Sequence, residues 1–256
     1  GEGGEVGEAA GMGGAPVDTG GRGGSSTGGL PAIGPGITAG LVLWLTADRG
    51  VTEQNGGVSL WADQSGQGAD ATQASSVRRP RLLSGAGSLP MLEFDGEDDA
   101  FALADGFEDF SGGLTFFAVV EALEAEACSS MVQLSNGSEV DDIDFGFLPG
   151  TLHYEVAADY FPSPSGSVEI GRRFIAGFVH DPDGRAEIRG DGEYLAHRDL
   201  ALPTRTIRYD NTVGRSLYDV CEPLHARIGE ILLYARALSA PERLTIETYL
   251  RARWLP

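Results

Sequence analysis

Residues Arg227 to Trp254 read RIGEILLYARALSAPERLTIETYLRARW, and the stretch divides in two. Ile228 to Tyr234 is a short apolar run with a single charge, Glu230, bounded by polar residues. A run of that length and setting reads as a buried strand. Ser239-Ala-Pro-Glu242 follows. Ser239 can cap a helix, and Glu242, three residues on, can return a bond to the Ser239 amide. Pro241 falls in the first turn, where its missing N–H costs nothing. Ile246, Tyr249, Leu250 and Trp254 then recur at three- and four-residue spacing, on one helical face. The pattern predicts β-structure closed by one amphipathic helix.

Upstream the chain is β-like. Leu114 to Val120 is rich in β-branched and aromatic residues and reads as a central strand. Ser130 to Leu134 is another, closed by the turn signal Asn136-Gly137. Phe145 to Phe147 and Leu152 to Val156 form a predicted hairpin across Pro149-Gly150. Arg173 to Val179 ends in His180-Asp-Pro-Asp-Gly184, a turn composition. Arg185 to Arg189 alternates as a half-exposed strand, and Ile207 to Val213 leads into Gly214. Short strands with turns this frequent predict an antiparallel sandwich. No internal repeat and no second domain is visible.

Two blocks carry a family resemblance. In the first, Leu41-Val-Leu-Trp-Leu45 with Ala47-Asp48 is followed by Val58-Ser-Leu-Trp61-Ala-Asp63, Gln64 to Gly68 and Asp70-Ala-Thr-Gln73. Arg79-Pro80 and Leu89 to Gly96, which contains Phe94-Asp95, continue it. The second comprises Gly229, Glu230, Ile231, Tyr234, Arg236, Leu238 and Ser239. Together they resemble the laminin G-like, concanavalin A-like lectin/glucanase jelly rolls of bacterial surface and secreted proteins. The resemblance implies an all-β antiparallel jelly-roll sandwich with one short C-terminal helix. It also implies export and, in many members, one calcium at the sandwich rim.

Composition sets the outer limits. The chain has 256 residues, 41% of them hydrophobic, enough for one substantial core. Its net charge is −20, and all 18 basic residues are arginine. Such a balance excludes nucleic acid, whose phosphates it repels, and suits divalent cations or neutral glycans. No apolar run approaches the roughly 20 residues of a membrane helix. Residues 1–36 are Gly-rich with few large apolar side chains and are expected to form a flexible tail or tether. The jelly roll is expected over 37–256. The chain begins at Gly1 without an initiator Met, as a processed exported protein would. Cys128 and Cys221 are expected either as one bridge, contributing about 4–5 kcal/mol over so long a loop, or as two separate buried thiols.

The candidate chemistry is carboxylate-rich. Glu139, Asp141 and Asp144 approximate the motif with which laminarinase-type hydrolases line one strand. Their glutamate pair flanks the sugar at about 5–5.5 Å in retaining enzymes. Here the third position is an aspartate, one methylene shorter, and the motif follows a turn, so an acidic loop is the better reading and no catalytic residue is assigned. Calcium, which takes several oxygen ligands, has candidate ligands in Asp95, Glu97, Asp98, Asp141, Asp142 and Asp144. The four histidines are scattered and offer no zinc spacing. Trp44 and Trp61 read as core. Aromatics expected to stack on a sugar are Tyr160, Phe161, Tyr194 and Tyr218. The favoured function is a non-catalytic extracellular recognition or adhesion module that binds a glycan or surface protein at its loop rim. The alternative is a structural subunit of a filament or surface layer, polymerised through residues 1–36. A laminarinase-type hydrolase comes third.

Overall fold

A computed structural model describes Gly1 and residues 34–84, 88–125 and 127–255. The expected Gly-rich tail lies, apart from Gly1 and residues 34–36, outside the described residues, as does the assembly role assigned to it.

Among the described residues there are seventeen strands and one α-helix. The first seven strands are β1 (Leu41–Thr46), β2 (Val51–Gln54), β3 (Gly57–Trp61), β4 (Ala71–Thr72), β5 (Arg81–Leu83), β6 (Met91–Asp95) and β7 (Phe101–Leu103). Then come β8 (Leu114–Ala122), β9 (Ser129–Leu134), β10 (Ile143–Leu148), β11 (Thr151–Val156) and β12 (Asp159–Pro162). The last are β13 (Arg173–His180), β14 (Arg185–Gly190), β15 (Glu193–Asp199), β16 (Thr212–Val213) and β17 (His225–Tyr234), followed by α1 (Ala240–Trp254). The first sheet runs β15-β14-β13-β8-β17-β6-β5, with β1 also on β17. The second runs β12-β11-β10-β9-β16-β7-β4-β3-β2. All pairings are antiparallel, and the crossovers make a jelly-roll sandwich with one C-terminal helix, as the sequence predicts.

The inward faces interdigitate through aromatics. Phe116 of β8 stacks on Phe145 of β10 with ring centroids 4.2 Å apart, and Phe145 stacks in turn on Tyr154 at 5.3 Å. One polar contact joins the sheets inside this apolar layer: the Tyr154 hydroxyl lies 3.0 Å from His180 Nδ1. His180 Nε2 lies 3.2 Å from the Leu200 carbonyl, which can only accept. Nε2 therefore carries the hydrogen, and Nδ1 accepts from tyrosine. Burial pushes His180 below its ordinary range, so the ring is held neutral.

β17 is the pivot of the first sheet. It pairs along its whole length with β8, and on its other side it changes partner. His225 to Ile228 lie against β6, and Glu230 to Tyr234 against β1. The change falls at Gly229, where the register with β8 also slips by one residue, a bulge. Gly229 is required by space: a Cβ there would sit 2.7 Å from the Trp254 ring. Trp254, Leu250 and Ile246 are the buried face of α1. Beside Gly229, Glu230 is fully buried and accepts from Trp44 Nε1 at 2.7 Å, Trp254 Nε1 at 2.6 Å and the Tyr249 hydroxyl at 2.8 Å. Arg253 Nε lies 3.5 Å away. Burial pushes the Glu230 carboxyl up, while these donors hold it down. The helix start is fixed as expected, with the Ser239 amide donating to Glu242 at 2.8 Å.

The N-terminal block around Trp44, Asp63 and Arg79 forms turns and tethers. Asp63 accepts from the amides of Trp44 and Ser65, both at 2.9 Å. The Arg79 guanidinium donates to the carbonyls of Gln54, Gln73 and Ala74 at 2.8–3.0 Å.

Replacing Glu230 with alanine leaves two indole N–H groups, the Tyr249 hydroxyl and a guanidinium facing a hole. The expected loss is about 3–5 kcal/mol, the cost of breaking a buried charged network by removing one partner. It is read as a lowered urea midpoint; a midpoint equal to that of the parent chain would show that the network carries no net stability.

Candidate functional site

Four consecutive strands of the second sheet present a polar outer face. In β10, Ile143, Phe145 and Phe147 point into the core, so Asp144 and Gly146 point away from it. In β11, Leu152, Tyr154 and Val156 point inward, leaving Thr151, His153 and Glu155 outward. The registers align Gln133, Asp144, Glu155 and Tyr160 as one row across β9, β10, β11 and β12. Ser130, Gly146, His153 and Pro162 form the next row. Directly opposed residues have Cβ atoms about 4.5–5.5 Å apart, so Asp144 and Glu155 are facing carboxyls. Gly146 makes the room for His153: a Cβ there would lie 2.7 Å from His153 Cε1.

A loop from Gly214 to Pro223 folds over this face. The Leu217 amide donates to Gln133 Oε1 at 2.6 Å. A disulfide joins Cys221 to Cys128 with the Cα atoms 4.8 Å apart, and the Glu222 amide donates to the Cys128 carbonyl at 2.9 Å. Of the two arrangements expected for these cysteines, the bridge is the one found. Its 93-residue separation contributes about 4–5 kcal/mol on the loop-entropy model. Beneath and beside the loop lies a cavity of about 270 Å³ lined by Glu139, Asp144, His153, Glu155, Tyr160 and Tyr218, among others.

The polar groups there are tightly linked. The Tyr218 hydroxyl lies 2.6 Å from Asp142 Oδ2 and 2.5 Å from Glu155 Oε1. A phenol has one hydrogen, so a second proton must sit on a carboxyl for both contacts to be hydrogen bonds. Glu155 is the carboxyl whose surroundings favour the protonated form. Burial first, then the Asp144 and Asp142 carboxylates, push its carboxyl up to about 7 against the pull of Tyr218 and His153. Ser130 Oγ donates to Asp144 Oδ2 at 2.7 Å, and His153 Nε2 lies 3.6 Å from the same oxygen. Asp144 Oδ1, Asp142 Oδ1 and His153 Nδ1 are buried without a hydrogen-bond partner among the described residues.

The expected site residues divide accordingly. Tyr160 and Tyr218 meet at the cavity, and Tyr160 is 49% exposed. Phe161 does not join them: it is buried and meets Tyr154 edge-on, because it pairs with Tyr154 in register and shares its inward face. Tyr194 stands on β15 of the other sheet with its hydroxyl on His197. Glu139 and Asp141 sit in the preceding turn with φ of +59° and +55°, and Asp141 Oδ2 accepts from Asn136. Only Asp144 of that trio is on a strand, so the three do not line one strand as the hydrolase motif requires. Asp144 also corrects the expected acidic loop, since it faces the cavity from β10. The calcium candidates Asp141, Asp142 and Asp144 are drawn to separate partners, Asn136, Tyr218 and Ser130. Asp95, Asp98 and Asp99 instead bring one oxygen each within 4.8 Å of one another, and Glu97 is outside that group. Burial, with the Asp95 and Asp98 carboxylates, pushes Asp99 up to about 6. His153 and Glu155 were not predicted; the only signal for them is the polar alternation of Thr151 to Val156.

No protein-family model matches the chain, and no curated protein matches it. Its likeness is to solved structures. Domain 4 of AbnA, an extracellular GH43 arabinanase from Geobacillus stearothermophilus, in complex with arabinotriose, superposes with a TM-score of 0.58 at 13% identity. That match covers 82% of this chain and 98% of the domain. Trypanosoma rangeli sialidase in complex with sialic acid gives 0.54 at 19% identity over 83% of this chain. The binding domain of Paraclostridial Mosquitocidal Protein 1 gives 0.55 at 12% over 83%. The chain spans 33% of the sialidase and 52% of the latter. These likenesses show the fold, an antiparallel jelly-roll β-sandwich. No helix among the described residues is long and apolar enough to cross a membrane.

The raised Glu155 carboxyl has a signed consequence. The folded chain keeps a proton that the unfolded chain releases near pH 4.3. Stability from this group is therefore full below that value and is lost as pH rises through about 7. A carbon-13 carboxyl titration should find Glu155 half-protonated near 7 and lower in Asp144→Asn, which removes a facing charge. An ordinary glutamate midpoint in the parent chain would refute the proton count at Tyr218.

Proposed function

We propose that the chain is a laminin G-like recognition module of an exported protein, non-catalytic, and that it binds a glycan in the cavity on the outer face of the second sheet. One observation carries the reading. The cross-strand row Asp144, Glu155, Tyr160 sets hydrogen-bonding carboxyls beside a half-exposed aromatic ring, with Tyr218 also in the lining. Few polar groups fixed by neighbours, next to a ring face, are what a sugar site requires. Arabinotriose in complex with the arabinanase domain supports a glycan as the ligand class. The disulfide supports export to an oxidising compartment. The scattering of Glu139, Asp141 and Asp144 supports the absence of laminarinase-type catalysis.

Glycan-array screening followed by calorimetry tests this. An oligosaccharide should bind, and Tyr160→Ala should weaken it by about tenfold, the equivalent of ~1.4 kcal/mol for a lost ring face. Tyr194→Ala, on the other sheet, should bind as the parent does. Sensitivity at Tyr194 with none at Tyr160 would move the site elsewhere.

Calcium belongs to the proposal at Asp95, Asp98 and Asp99, whose converging oxygens supply part of the donor set a hard cation takes. Asp95 Oδ1 already ties the Glu97 amide, so the ion would share this turn with the backbone. Calcium titration followed by calorimetry should give binding that weakens as pH falls through about 6, where Asp99 takes up its proton. Asp99→Asn should abolish it. No heat at any pH removes calcium from the reading.

A further inference from the structure

We infer that the cavity over β10 and β11 selects a protonated amine, so that the glycan it takes is one carrying free amino groups, a 2-amino-2-deoxy sugar rather than its N-acetylated or uronic-acid counterpart. This rests on the glycan reading above and narrows it.

The charge of the lining comes first. Glu139 and Asp144 contribute carboxylates, Glu155 contributes a carboxyl that keeps its proton up to about pH 7, and neither Arg nor Lys is among the lining residues. The whole sequence has no lysine. The arginines near the cavity are committed elsewhere. Arg198 pairs with Asp159 at 2.9 Å and donates to the Tyr160 carbonyl. Arg208 is buried and donates to the carbonyls of Asp141, Phe107 and Thr204. A uronic or sialic carboxylate would therefore meet like charge at Glu139 and Asp144, and the one lining side chain able to carry positive charge, His153, already lies 3.6 Å from Asp144.

The second observation is independent of the count of acids. The side chains of Asp144 and His153 are 1% and 4% exposed, both line the cavity, and each keeps one buried polar atom unpartnered, Oδ1 and Nδ1. Ser130 fixes the other Asp144 oxygen, so Oδ1 cannot turn away without losing that bond. An unpaired buried acceptor carries a desolvation cost that an incoming donor removes. An ammonium offers three hydrogens and a full charge, and charge-assisted bonds are about twice as strong as neutral ones. An acetamide offers one N–H and adds a carbonyl that the carboxyls repel. Tyr160 then supplies the ring against which the sugar face lies.

The test uses the full chain and two probes, a glucosamine tetramer and its fully N-acetylated form, compared by calorimetry at a mildly acidic pH. The amino tetramer should bind at least about tenfold more tightly, a ~1.4 kcal/mol difference. Asp144→Asn should erase that preference, with circular dichroism confirming the fold and Glu155→Gln serving as the second variant. Equal binding of both probes overturns the amine inference and leaves the glycan reading standing. Binding of the amino tetramer that survives in both variants assigns it to the acidic surface at large and overturns the inference too. Binding of neither probe, with no other glycan bound, overturns both readings.

Discussion

Glu230 is the constraint on which the closing of the domain depends. It is a fully buried carboxyl, and every group that offsets its burial comes from outside its own strand, β17. Trp44 reaches it from β1, and Tyr249, Arg253 and Trp254 reach it from α1. A buried charge is tolerated only when its oxygens are satisfied. The chain therefore has to bring its first strand and its last helix to one point on β17. The glycine before it allows this, because Trp254 occupies the volume a side chain would take. The partner change of β17 from β6 to β1 falls at the same place. The bulge, the indole contact and the carboxyl network are one device, and it joins residues nearly two hundred positions apart.

That device anchors the first sheet, whereas the cavity is made by register in the second. Asp144 and Glu155 are opposite one another because β10 and β11 pair through a tight turn at Pro149-Gly150, with no slip along the whole hairpin. Like charges so placed are unfavourable. The molecule accommodates them by leaving a proton on Glu155 and setting the Tyr218 hydroxyl between Glu155 and Asp142.

How much of this was legible in the sequence depends on the range of each interaction. The closing strand, the helix with its Ser239–Glu242 start, the hairpin across Pro149-Gly150 and the core role of Trp61 are all local patterns. They were readable because hydrophobic period and turn chemistry are written within a few residues. Phe161 was misread for a local reason: residues 159–162 form a strand, and adjacent residues on a strand face opposite ways, so Tyr160 and Phe161 cannot both be exposed. The same rule, applied to Ile143, Phe145 and Phe147, would have turned Asp144 outward. What no local pattern contains is the meeting of Tyr218 with Asp142 and Glu155, separated by 76 and 63 residues. That contact needs the sheet order and the fold of the 214–223 loop, neither of which has a period.

The loop also explains why these acids differ from the rest of an acidic chain. On an open sheet face, Asp144, His153 and Glu155 would be solvated, and their mutual repulsion would be screened within about a Debye length. Tethering at Leu217, Cys221 and Glu222 holds the loop down on the face, where the Asp144 and Glu155 side chains are buried. Lower local polarity strengthens every charge–charge term at once. It raises the proton affinity of Glu155 and raises the reward for any cation that enters. The disulfide is one of three ties that hold this loop in place.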